Sequence, residues 1–240
     1  FNADGTANNI SGHNMPFTVT GLMLIIVGFW GFLMACAIFP GEGWSWSATQ
    51  YASIYGTPMN LSALSFNILM GIGGGIIGAW MVTRDPFWMM SGCLAGIISC
   101  AAGLDLWWPP LAFAVAFVGG AALKPLASML ENMGIDDAVG AVTVHGTIGA
   151  WGVIAVGIFA SGYPALSGDA GVATISFVGQ LIGMIVMFLI GFVPGYVVSW
   201  ILNQLNFLRV DEEDEKAGLD PTKVPAQAYP EGIPSSPSNN

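Results

Sequence analysis

Six apolar runs, residues 15–39, 59–82, 87–104, 107–130, 138–160 and 172–208, take up most of this chain. As helices most of them are long enough to cross a hydrocarbon layer, which takes about 20 residues rising about 1.5 Å each. A backbone in lipid must satisfy its own hydrogen bonds, which leaves helices or a closed barrel. The runs are continuous and do not alternate, which disfavours a barrel. The sequence therefore predicts an all-α polytopic membrane protein with six transmembrane helices. The last run is too long for one upright span and is expected to tilt, to bend near Pro194-Gly195, or to continue out of the membrane.

Composition supports this reading. Only 8% of the 240 residues are charged, where a water-soluble domain carries about a quarter. The surface must be largely lipid. Half of the formal charge of −10 sits at one end, since the segment from Asp211 onward holds seven acids against Lys216 and Lys223. Nothing forms the basic patch that a phosphate backbone needs, so nucleic acid is excluded as a partner. Cys36, Cys93 and Cys100 lie in apolar runs without metal-site spacing or disulfide density, and read as small buried residues. The chain opens Phe1-Asn2-Ala3 with no basic start leading into an apolar stretch, so a removed leader or an upstream portion is expected rather than a signal peptide.

The connections distinguish the two sides. Arg84 follows the second run, Lys124 lies near the end of the fourth, and Arg209, Lys216 and Lys223 follow the sixth. An alternating path puts all five on one face, which the positive-inside rule makes cytoplasmic, and brings both ends of this chain to that side. The connections at 40–58, around Asp105 and at 161–171 contain no Lys or Arg. Trp44, Trp46, Trp107 and Trp108 then suit the outer aromatic belt. The expected organisation is a cytoplasmic N-terminal segment (1–14), a transmembrane domain (15–208) and a cytoplasmic C-terminal tail (209–240). Asp211-Glu212-Glu213-Asp214-Glu215 and the Pro- and Ser-rich end give the tail the composition of a solvated, disordered terminus, with a docked regulatory segment as the sharper alternative.

Three features could carry function. Gly71, Gly73, Gly74, Gly75 and Gly78, then Gly119 and Gly120, then Gly140, Gly146, Gly149, Gly152 and Gly157 set small residues at three- and four-residue spacings. That spacing lets helix backbones approach closely. His145 is the ionisable side chain well inside the fifth run, where burial is costly. Burial favours the neutral imidazole, with one donor and one acceptor, which suits handling a small polar molecule or relaying a proton. A carbonyl on a neighbouring helix could equally satisfy it. Asp136 and Asp137 precede that helix, and at least one of them is expected to cap its free N–H groups and meet its positive end. Phe32 and Cys36, four apart, share one helix face, which could be lipid-facing, packed or pore-lining. His13 and His145 are too separated along the path to act together as ligands, and no metal, haem or nucleophile pattern is present, so neither a cofactor nor an enzyme is expected.

The stretch Asp136-Asp137-Ala138-Val139-Gly140-Ala141-Val142-Thr143-Val144-His145-Gly146-Thr147-Ile148-Gly149-Ala150-Trp151-Gly152 resembles the pattern around the second pore histidine of the ammonium transporters of the Amt/Mep/Rh superfamily, Amt branch. His13-Asn14-Met15-Pro16-Phe17, Gly28-Phe29-Trp30-Gly31-Phe32, Gly92-Cys93-Leu94-Ala95-Gly96 leading to Ala102-Gly103-Leu104-Asp105, and Glu212-Glu213-Asp214-Glu215 with Gly218-Leu219-Asp220 agree in order. The resemblance implies eleven transmembrane helices in two inverted halves, of which this chain is similar to the last six plus the tail. It also implies a homotrimer in a plasma or bacterial inner membrane, with one pore through each subunit. By resemblance, His145 is one of two facing pore histidines, Phe32 one of two stacked gate phenylalanines, and Cys36 stands where a hydroxyl often lines the external cation site. The other members of these sets belong to the other half.

Cys36 departs from that hydroxyl, and a thiol is a poor donor and acceptor. Leu33, Ala138 and Gly12 stand where Asn, Pro and Pro are commoner. The mechanism implied for the family rests on simple physics. An aromatic vestibule attracts ammonium by cation–π contact, and a narrow apolar stretch opposes any hydrated ion. Ammonium can shed its proton and cross as ammonia, whereas potassium has no proton to give. Electrogenic uptake and a gas channel both follow from this chemistry. The alternatives are a Rh-like ammonia gas channel, an ammonium sensor with the same fold, or a non-catalytic subunit of a membrane enzyme complex. A cytoplasmic regulatory protein at the tail is a further possible partner.

Overall fold

The computed structural model describes residues 5–6, 14–36, 51–52, 58–59, 61–163 and 174–223. His13, Gly12, Trp44, Trp46 and most of the connections at 40–58 and 161–171 lie outside the described residues. The chain divides into two compact units, Phe1–Met187 and Phe188–Asn240.

The first unit is built on helices. α1 (Met15–Cys36) starts where the Asn14 side chain accepts the Phe17 N–H at 3.0 Å. α2 (Leu61–Thr83) ends at Arg84, whose φ of 55° turns the chain. Asp85 then caps α3 (Pro86–Ala101) by accepting from the N–H groups of Phe87 and Trp88, with Pro86 in the first turn where its missing N–H costs nothing. α4 (Pro109–Asn132) opens on a Pro pair for the same reason. A π-helical turn (Val142–Thr147) leads directly into α5 (Ile148–Phe159), and α6 (Phe177–Gln204) runs through the boundary between the units with Pro194 inside it. A short antiparallel pair, β1 (Tyr51–Ala52) with β2 (Pro58–Met59), lies in the connection between α1 and α2.

Among the described residues, five helical stretches are long and apolar enough to span a membrane, against the six expected. The difference is α3. It has 16 residues, because the chain leaves the helix at Ala101 and closes a compact turn in which Gly103 donates to Cys100 and Trp107 donates to Gly103. The Trp107 ring covers Gly103 and is itself buried. The last of the expected apolar runs forms the continuous α6, none of whose residues is buried.

Small residues fix how α2, α3 and α4 pack. A methyl at Gly75 would collide with the Gly92 carbonyl and with Gly96, and one at Gly71 would press on the Gly96 carbonyl. The order along α3 is reversed, so α2 and α3 are antiparallel. Gly74 lies on Phe113 and Ala116, and Gly78 on Phe117 and Ala121, which makes α2 and α4 parallel. Such close approach gives dispersion contact between backbones where lipid supplies no hydrophobic drive. α5 joins in the opposite sense to α4, with Ile148 at Gly119 and the Trp151 indole donating to the Val115 carbonyl at 3.0 Å. Ile68, Ile97, Val115, Leu123, Ile148 and Val156 form the fully buried interior.

The second unit contains the end of α6 and, after it, α7 (Glu212–Ala217) and α8 (Leu219–Thr222). Part of the tail expected to be solvated is therefore helical. Its acids gather in the first turn of α7, where they meet the positive end of the helix dipole, and Gly218, at φ 93°, separates α7 from α8. Ion pairs Arg209–Glu215, Lys216–Glu212 and Lys223–Asp214 tie the segment to itself.

Candidate functional site

Residues 137–148 form the most specific local geometry in the first unit. Gly140, at φ 73°, closes a turn in which its N–H donates to the Asp137 carbonyl at 2.9 Å. An L side chain is disfavoured at that φ, which is why glycine stands there. The chain then rises into a π turn. The Asp137 carboxylate accepts the N–H groups of Val142 and Thr143 at 2.9 Å each, and the Thr143 hydroxyl at 2.8 Å.

Partial burial acts to raise the Asp137 pKa, but the hydrogen bonds from Thr143, Val142 and Ala141 together outweigh it, so its carboxyl is held below its ordinary value. Asp136, its neighbour, is exposed. Widening of the helix is stabilised on the other side of the turn. The Thr143 carbonyl accepts both the Ile148 N–H, five residues on, and the Thr147 hydroxyl at 2.6 Å.

His145 sits in the middle of this π turn. Thr143, Val144 and Ile148 are its buried neighbours and fill the side packed against α3 and α4, which leaves His145 exposed in this chain. These helices by themselves therefore leave the imidazole uncovered. The imidazole is on the unpacked side of the turn. In depth it lies within about one helical turn of the middle of α4, since Ile148 meets Gly119 there.

Phe32 and Cys36 occupy the last turns of α1 and are both exposed. Cys36 is therefore not the small buried residue that its apolar surroundings suggested, whereas Cys93 and Cys100 are buried, with the Cys100 thiol donating to the Ala112 carbonyl at 3.0 Å. Phe32 lines an open apolar groove with Ile25, Gly28 and Phe29. The Trp30 indole donates to the Ser65 hydroxyl at 3.2 Å and so ties this end of α1 to the start of α2. Phe32 and Cys36 stand at that end of the unit, on a different helix from His145.

Two polar residues were not read from the sequence as functional. Thr143 is fully buried and links Asp137 to the π turn. Asn67 is 3% exposed and donates to the carbonyls of Leu104 and Trp107 at 2.8 and 2.9 Å. An amide well inside an apolar run was the available signal for Asn67; for Thr143 it was a hydroxyl six residues after an acid.

The model of the Ammonium Transporter Family matches residues 1–229. The chain belongs to this family. Among curated members, this ammonium transporter family chain is 31% identical to "Ammonium transporter Amt2" of Methanocaldococcus jannaschii over 95% of its length and 50% of that protein. It is 32% identical to "Ammonium transporter Amt1" of the same organism, over 95% of the chain and 54% of that protein. With "Ammonium transporter Amt2" of Archaeoglobus fulgidus it shares 30% identity over 96% of the chain and 49% of that protein. The chain spans about half the length of these relatives. Family membership and the apolar helices together make it an integral membrane protein.

Proposed function

We propose that the full-length protein moves ammonium or ammonia across a membrane, and that this chain supplies one wall of the pathway. The observation that carries this reading is His145, held in a π turn on the unpacked side of a glycine-packed layer within a chain whose residues 1–229 match the ammonium transporter family. An imidazole there has nitrogens free to hydrogen-bond a small neutral molecule, while the apolar side chains around it deny a hydrated cation any compensation for lost water.

Selectivity follows from proton loss. Ammonium gives its proton to water at the mouth of the pathway and crosses as ammonia against the imidazole, which potassium cannot do. Phe32 and Cys36, at the end of α1, suit the mouth: the ring restricts access and the thiol contributes a weak polar contact. The second wall, a facing histidine and assembly as a trimer belong to the same proposal, as do a cytoplasmic tail and six spans out of eleven.

Uptake of labelled methylammonium by cells or vesicles containing the full-length protein tests the reading. His145→Ala is expected to lower uptake or its selectivity over potassium while assembly is retained. Wild-type flux and selectivity in that variant would remove His145 from the pathway.

A further inference from the structure

We infer that Asn67 and Trp107 hold one buried water molecule, and that this water completes the latch between α2 and the α3–α4 connection. Asn67 is 3% and Trp107 5% exposed. Both hydrogen bonds from the Asn67 amide nitrogen are committed to carbonyls, those of Leu104 and Trp107, and those acceptors fix which way the amide points. Its Oδ1 then faces away from them as an acceptor. Oδ1 and the indole Nε1 of Trp107 are the two buried side-chain polar atoms that lack a protein partner among the described residues.

One is an acceptor and the other a donor, on two residues already joined through the Trp107 carbonyl at 2.9 Å. Leaving both unpaired in an apolar interior carries a desolvation penalty that native proteins rarely accept. A single water both donates and accepts, and resolves both atoms at once. Larger or charged ligands are excluded by the near-complete burial and by the lack of a charged side chain on either residue. The latch has a defined place. It fastens the turn 102–107 to α2 two residues from Ser65, which holds Trp30 of α1. Asn67 is a positioning residue for that end of the unit.

The decisive measurement is an experimental structure of the full-length protein at a resolution that shows ordered water. One water within hydrogen-bonding distance of both Asn67 Oδ1 and Trp107 Nε1 is expected. A dry site, or protein groups paired with those two atoms, overturns the inference. In solution, the indole N–H of Trp107, assigned by its loss in Trp107→Phe, is expected at a hydrogen-bonded chemical shift; the shift of a free indole counts against the water. Amide exchange adds a third readout. Protection across 103–107 is expected to fall about two- to tenfold in Trp107→Phe, as loss of one hydrogen bond implies, and further in Asn67→Leu. Unchanged protection in both variants would show that no latch exists.

Discussion

The Asp137 carboxylate binds Thr143 twice, accepting its N–H at 2.9 Å and its hydroxyl at 2.8 Å, and so fixes the first turn beneath His145. Asp137→Ala removes three hydrogen bonds from a helix start and is expected to destabilise the protein by about 1–2 kcal/mol, in the range of a lost helix cap. The melting temperature of the purified full-length protein checks this. Asp136→Ala, at an exposed neighbour, is expected to leave it unchanged.

The same carboxylate should give a signature at low pH. Its pKa lies below the ordinary 3.8, so the stability it contributes is present above that value and disappears as pH falls through the lowered one. The difference in melting temperature between wild type and Asp137→Asn is therefore expected to be constant from neutral pH to about 5 and to shrink only in stronger acid. A difference already shrinking between pH 7 and 5 would point to another group.

Glycines two residues apart on α2 should differ sharply. A methyl at Gly75 meets the backbone of Gly92 and Gly96, neither of which can move aside, whereas one at Gly73 meets only the edge of the Phe113 ring, at 3.9 Å. Gly75→Ala is expected to cost about 1–3 kcal/mol or to prevent folding, as overpacking does. Gly73→Ala is expected to be neutral or stabilising by up to about 1 kcal/mol from helix propensity. Thermal stability in detergent, compared between the two, decides it.

In the tail, Lys223 is paired with Asp214 at 2.7 Å, and that contact raises its pKa. The contribution of a raised lysine is complete below its ordinary 10.5 and is lost as pH climbs through the higher folded value. The pair is at the surface, so Lys223→Ala should leave overall melting unchanged, while amide protection in α7 and α8 falls and becomes less sensitive to salt. Hydrogen exchange at low and high ionic strength measures this.

Much of the fold was legible because lipid imposes few choices. Each apolar run of the sequence contains a helix, and Asp85-Pro86 and Pro109-Pro110 mark their starts. The glycine spacing announced close packing, but spacing within one helix does not name its partner; that Gly75 meets Gly92 and Gly96 depends on all three helices at once. The shortness of α3 was hidden because Leu104 and Trp107 are as apolar as a helix interior while serving a turn. Of the candidate site, the position of His145 along the chain was visible, as was an acid before its helix. The π turn was not. Side-chain periodicity barely registers one additional residue, and the contacts that hold it open, through Asp137, Thr143 and Thr147, are hydrogen bonds rather than apolar pattern.

That additional residue sets the bearing of the imidazole without turning the two ends of the passage. Deleting Gly146 would let the coil relax to ordinary pitch while Asp137 and α5 stayed nearly in phase, because a π turn spends about one residue more than an α turn on the same sweep. The anchor and the rod would remain in line, and what the shortened chain would lose is the aim of the ring between them.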